Sequence, residues 1–298
     1  MTLEILKHGG PARLGKLHLN GGKLATPNMF SVLTDAADVK HDIYITSSAM
    51  KTERKPLFVD WGSLSVFDER KFTPQNAILP DYHVGLSVPR ELAEMSVSET
   101  LRFSEGYPDC GAVVQGSAFP DLREKCARGL GERPLFVVAN GEKLVRRPRL
   151  LVEIVTSIRE AIPPNSTLYF PTAPPHMFHI LAYMGVDLFD SAECIMKARA
   201  GKMLTPKVLD LRDLKELPCA CAICASRTPE DLLDFDLALA HNFNKAVEVL
   251  KEIREAIRVN ALRELVEEKA CGSVNAMAAL RILDAEKGDF LERYTGVV

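Results

Sequence analysis

The stretch that decides the fold reads Gly185-Val186-Asp187-Leu188-Phe189-Asp190-Ser191, passes Leu204-Thr205-Pro206, and runs through Pro218-Cys219-Ala220-Cys221-Ala222-Ile223-Cys224 to His241-Asn242. Three cysteines spaced Cys-x-Cys-x-x-Cys cannot be a relaxed disulfide set, but their thiolates can converge on one soft cation. His241, one helix later, supplies a fourth corner, so Cys219, Cys221, Cys224 and His241 are expected to form a closed, structural zinc site. The bland alternative is a cluster of buried free cysteines, which behave as small hydrophobes. That reading is kept for the scattered Cys110, Cys126, Cys194 and Cys271. The apolar run ending in Asp187 and Asp190 is expected to be a buried parallel strand that delivers carboxylates at its carboxyl end, the end that carries the chemistry of barrel folds.

The rest of the chain alternates around this strand. Short apolar runs at Ile43 to Thr46, Leu57 to Asp60, Ala112 to Val114, Leu135 to Val138 and Leu168 to Phe170 read as strands. Between the later ones, helical patterns cover Glu91 to about Gly106, Asp121 to Leu130, Arg149 to Ile162 and His176 to Met184, with Arg123, Lys125 and Arg128 assigned to the polar side of their helix. Strands separated by ten-to-fifteen-residue helices indicate a parallel α/β sheet, and seven or eight such units in 298 residues indicate a closed (β/α)8, TIM-type barrel. Residues 12 to 24 suggest an entry hairpin turning at Asn20-Gly21-Gly22. Thr228-Pro229-Glu230-Asp231 has the form of a helix start. In the long helix behind it, Phe243, Ala246, Val247, Leu250, Ile253 and Ile257 share one apolar face. Asn275 to Leu283 is the expected final helix, and one domain over 1–298, with a zinc-binding subdomain over about 203–250, is the expected organisation.

Composition bounds the function classes. A 47% hydrophobic content can bury a full core, and no apolar run approaches a membrane span. The opening MTLEILKHGG lacks a signal-peptide pattern, and free thiols with a thiolate metal site suit a reducing, cytoplasmic setting. A net charge of −3 gives no global attraction to nucleic acid, so any such binding must rest on local patches.

On these residues the chain resembles the tRNA-guanine transglycosylase superfamily, archaeal branch. Gly185 to Ala192, the Leu-Thr-Pro, and Pro-Cys-x-Cys-x-x-Cys with the later Thr-Pro-Glu and His-Asn carry the resemblance. Gln115-Gly116-Ser117 and Pro56 to Ser63 (PLFVDWGS) extend it over nearly the whole chain. The resemblance implies a barrel with a zinc subdomain inserted near its carboxyl end. It also implies Asp190 as the carboxylate that attacks ribose C1′, and Asp60 as the acid that handles the proton of the exchanged base.

Three pocket elements depart from that pattern. Asp60-Trp61-Gly62 replaces Asp-Ser-Gly and places Trp61 beside the pocket; Ser87 aligns with the base-reading aspartate; and Val138-Ala139-Asn140-Gly141-Glu142 replaces a Gly-Gly segment. With Gln115 and Gly116, the residues Trp61, Ser87 and Asn140 are therefore the expected substrate contacts. The pattern most resembles the transglycosylase-like module of archaeosine synthase, which implies addition of an amine such as lysine to the nitrile of 7-cyano-7-deazaguanine in the tRNA D-loop. Base exchange through a covalent Asp190 intermediate is the alternative, and a non-catalytic tRNA-positioning subunit is the third reading. The expected partner is tRNA, held by Lys143, Arg146, Arg147 and Arg149 and by Lys197, Arg199 and Lys202. The carboxyl-terminal tRNA-binding modules of the resembling proteins are expected to come from a separate chain or to be lacking, and homo-oligomerisation stays open.

Overall fold

A computed structural model describes residues 1–19, 22–47, 50 and 52–293. Three antiparallel strands come first: β1 (Thr2–Gly9), β2 (Ala12–Leu19) and β3 (Gly22–Thr26). β2 and β3 are the expected hairpin, whose turn residues Asn20 and Gly21 lie outside the described residues. Eight parallel strands follow: β4 (Asn28–Val32), β5 (Tyr44–Ser47), β6 (Leu57–Asp60), β7 (Ala77–Ile78), β8 (Ala112–Val114), β9 (Leu135–Val138), β10 (Thr167–Tyr169) and β11 (Leu188–Asp190). Except between β7 and β8, each pairs with its sequence neighbour, β11 pairs with β4, and Gly111 closes the remaining seam between β7 and β8 by accepting from the Leu79 N–H and donating to the Ala77 carbonyl, both at 2.8 Å. The expected barrel is therefore present.

Alternation along these strands sends Phe30, Phe58, Ile78, Val137, Tyr169 and Leu188 inward, where Phe30 packs edge-on against Phe58 and Tyr169. Leu3, Leu17 and Leu24 of the first sheet join this cluster and plug the amino-terminal end. Arg13 of β2 fastens that plug: its guanidinium meets both oxygens of Asp187 and the carbonyls of Pro164 and Ser166. Asp187 was expected to deliver a carboxylate to the carboxyl end. It instead precedes β11 at the amino end, fully engaged by Arg13 and by the Leu168 N–H at 2.8 Å.

Outside the barrel run α1 (Arg90–Ser104), α2 (Pro120–Gly129), α3 (Gly141–Leu144), α4 (Pro148–Ala161), α5 (Phe178–Tyr183) and α6 (Ala192–Arg199). Among the described residues the first three connections, from β4 to β7, carry no α-helix, so the regular alternation expected holds only from β7 onward. After α6, a two-stranded ribbon of β12 (Lys202–Leu204) and β13 (Val208–Asp210) leads into the cysteine segment. The chain returns along α7 (Phe235–Arg258), which buries Phe243, Ala246, Leu250, Ile253 and Ile257. Thr228 does not cap α7. Its N–H and hydroxyl both donate to Asp231 in a separate turn, and Asp234 caps α7 by accepting from the Asp236 and Leu237 N–H groups. α8 (Leu262–Ala270) and α9 (Val274–Glu286) pack on α5 and α4, and α10 (Gly288–Glu292) rather than α9 is the last helix among the described residues. No helix among the described residues is long and apolar enough to cross a membrane.

Candidate active site and metal centre

Three carboxyl groups ring the carboxyl-terminal mouth of the barrel, because the strands that carry them end there: Asp60 ends β6, Asp81 lies just past β7, and Asp190 ends β11. Asp190 is buried. Its Oδ2 accepts from the Tyr169 hydroxyl and the Thr172 N–H, both at 2.7 Å, and its Oδ1 accepts from the Ala192 N–H at 2.8 Å. Burial raises its carboxyl above the usual range, and these three donors pull it back. Burial, together with the charge of Asp190 and a smaller effect of Asp60, holds the Tyr169 phenol well above its ordinary value, so it stays a donor.

Asp60 opens to solvent in the mouth, but the rim around it is dense enough that burial raises its carboxyl; only the Gly62 N–H, donating to Oδ1 at 2.8 Å, opposes the shift. Asp81 is 6% exposed. Burial pushes it up to about 6, a hydrogen bond from the Gln115 amide and the nearby His83 imidazole lower it, and the charge of Asp60 raises it. Gln115 is wholly buried, and its Oε1 has no hydrogen-bond partner. A buried acceptor beside Asp81 is thus left unpaired.

Behind Gln115 the backbone turns back on α2. Gly116 has φ +139, and a Cβ there would lie 2.7 Å from the Arg123 nitrogen, so only glycine fits. Arg123 is not on the polar side of its helix: it is fully buried and donates to the carbonyls of Ser117 at 2.9 Å and Val114 at 2.5 Å and to Asn140 Oδ1 at 3.2 Å. Helical periodicity misplaced it because unpaired carbonyls at the strand ends demand a donor there. Lys125 and Arg128 are exposed as expected.

The structure separates the other expected contacts. Asn140 is in the left-handed region (φ 63), and both ends of its amide are engaged, one by Arg123 and the other by donation to the Val84 carbonyl at 3.1 Å. Trp61 packs against Phe67 and Phe72, and its indole N–H has no partner. Ser87 is exposed in a shallow crevice with Lys143, Arg146 and Arg147. Arg149 lies apart, paired with Glu286 at 2.8 Å; Lys197 is paired with Glu193, Arg199 stacks on Phe235, and Lys202 begins β12. Asp81 and Tyr169 escaped the sequence reading. The only signal for Asp81 was an acid after Ile78-Leu79-Pro80, resembling the way Asp60 follows Leu57-Phe58-Val59.

Farther along, the Cys219, Cys221 and Cys224 sulfurs and a His241 ring nitrogen lie within 4.8 Å of one another. His241 Nδ1 is 3.2 Å from the Cys224 sulfur and 3.6 Å from the Cys221 sulfur. A tetrahedral zinc ion with ordinary bond lengths places its donors roughly 3.5 to 3.8 Å apart. His241 Nε2 faces the Leu204 carbonyl at 2.8 Å, which fixes the proton on that nitrogen and leaves the Nδ1 lone pair toward the cysteines. The four residues fit a closed metal site.

A family model described as queuine tRNA-ribosyltransferase matches residues 69–273. The tRNA-guanine(15) transglycosylase of Methanobrevibacter smithii is 31% identical over 98% of this chain and 53% of its own length. Its counterpart in Methanocaldococcus jannaschii is 26% identical over 100% of this chain and 56% of its own, and that of Methanothermobacter thermautotrophicus is 31% identical over 79% and 40%. The chain thus spans about half the length of the curated relatives it matches.

Proposed function

Because the chain belongs to the queuine tRNA-ribosyltransferase family, we propose that it exchanges a guanine of tRNA for a 7-deazaguanine through a covalent bond between Asp190 and ribose C1′. The observation that carries this reading is the set of Asp60, Asp81 and Asp190 around one mouth, with Gln115 between β8 and the acids. Asp190 attacks C1′, and the C1′–N9 bond breaks with its electron pair on N9. Asp60, whose raised carboxyl favours the protonated form, gives N9 its proton, then removes the N9 proton of the incoming base as that base displaces Asp190. Asp81 and Gln115 are suited to the base edge: a carboxylate accepts from the exocyclic amine of a guanine-like base, and the Gln115 amide offers both a donor and an acceptor.

Amine addition to a nitrile is the reading that the departures at Ser87 and at Ala139-Asn140-Gly141 favour. Asp81 supplies a carboxylate beside Gln115, and the relatives are named as transglycosylases acting on guanine 15. Both observations support base exchange. In this reading zinc occupies the site of Cys219, Cys221, Cys224 and His241 and serves structure, since four protein donors leave no open position. Lys143, Arg146 and Arg147 meet phosphates. The deciding test is incubation with tRNA followed by denaturation: an adduct should form with the wild type and vanish in Asp190→Asn, together with exchange of labelled guanine. Lysine incorporation without any adduct would overturn the reading.

A further inference from the structure

Beyond Asp81, residues 82–83 and 85–88 line two separate crevices. One crevice, about 370 Å³, holds Gly85 to Val88 against Lys143, Arg146 and Arg147. The other, about 720 Å³, lies between the loop after Asp60 and α1 and is lined by Ser63, Ser65, Tyr82, His83, Arg102 and Tyr107. It is joined to the acids directly: the Leu64 N–H donates to the Asp81 carbonyl at 2.9 Å, and His83 Nδ1 is 3.9 Å from Asp81 Oδ2.

The two crevices differ in charge. Arg146 and Arg147 are exposed and have no ion-pair partner among the described residues, as a phosphate site requires. In the larger crevice the cation, Arg102, is held by Glu99, and Glu69 adds a negative charge, which disfavours phosphate. What it offers is half-buried aromatic surface and neutral hydrogen-bonding groups. Its wall is stiff: Phe67 and Phe72 hold Phe103 and Tyr107 edge-on at 5.1 and 4.9 Å, and Ser63 and Ser65 hydroxyls face each other at 3.0 Å.

We infer that the crevice at Tyr82 and His83 receives the nucleobase next to the exchanged guanine, while the Lys143–Arg147 side holds the backbone. This rests on the proposed base exchange, because only a polynucleotide substrate needs a place for a neighbouring base. Stacking and hydrogen bonding on its aromatic and uncharged polar side chains suit a base, and residues 81–88 link this crevice at Tyr82 and His83 to the cationic one at Gly85 to Val88.

The test measures binding by the full chain, independent of turnover, to tRNA transcripts that are intact or abasic at one neighbour of guanine 15. Wild-type affinity should fall about tenfold for the abasic RNA on the side that uses the crevice, the order of one stacked base. Tyr82→Ala and His83→Ala should each weaken the intact RNA and show little further loss when the base is absent. Arg146→Ala should weaken intact and abasic RNA by the same factor. If both crevice variants lose equally on intact and abasic RNA at each neighbour, the inference is overturned and base exchange is untouched. Coupling in a protein that forms no Asp190 adduct would keep the crevice and overturn the exchange reading. Failure to bind any tRNA would overturn both.

Discussion

Asp81 is held where its charge is costly. Its carboxyl titrates near 6 in the folded chain, against about 3.9 for an unperturbed aspartate, so the folded state binds the extra proton between these values. The sign follows: stability from this group is fully present below the unfolded pKa and is lost as pH rises through the folded one. Asp81→Asn should therefore raise the melting temperature at pH 8 and change it little at pH 4, while abolishing base selection. A melting temperature at pH 8 that is unchanged or lowered would remove this account. Asp60→Asn should lower turnover by roughly 10²- to 10⁴-fold, the range for a positioned acid–base group. The four metal-site residues were legible in the sequence because local spacing carries them, whereas Asp190 stood out only through the resemblance carried by Gly185 to Ala192. Asp81 was not legible, since its strand is only Ala77-Ile78 and gives no periodicity to read. Arg123 was misread because it borders Leu122 and Cys126 on the buried side of α2, where a charge is placed only by the carbonyls it must satisfy.

At the scale of elements, two inserts are fastened by different chemistry. The cysteine segment has little apolar burial of its own: Cys219 and Cys221 are half-exposed, and Cys224 and His241 are the buried members. Metal analysis should find about one zinc per chain, and Cys221→Ser or chelation should lower the melting temperature without a specific loss at the mouth. The amino-terminal sheet is fastened by the buried Arg13–Asp187 pair, supported by Arg159 at 3.9 Å from the same carboxylate. Asp187→Ala should cost about 3 to 5 kcal/mol in denaturant unfolding, because two buried guanidinium groups lose their counter-charge. The hairpin, the later helices and the long face of α7 followed from sequence pattern. Between β4 and β7 the pattern names no helix; the expectation of seven or eight regular units came from the later alternation, and among the described residues those connections carry no α-helix.

For the whole molecule, a net charge of −3 makes the proposed tRNA binding depend on where cations are free. Replacing Arg146 and Arg147 together should weaken binding and flatten its dependence on salt by about one to two phosphate contacts. Arg149→Ala should change the salt slope little, since Glu286 and Glu153 already neutralise it. A larger effect at Arg149 than at the pair would redraw the binding face.

The uneven barrel wall has a consequence in time. α1 and α2 lie against β8 and α7 lies against β4, whereas the connections on either side of β5 carry no α-helix among the described residues. Under native conditions deuterium should enter β5 and β6 earlier than β9 and β10, through local opening that leaves the rest closed. Asp60 belongs to the faster-exchanging half and Asp190 to the slower, so a breathing seam runs between the proposed proton carrier and the proposed nucleophile.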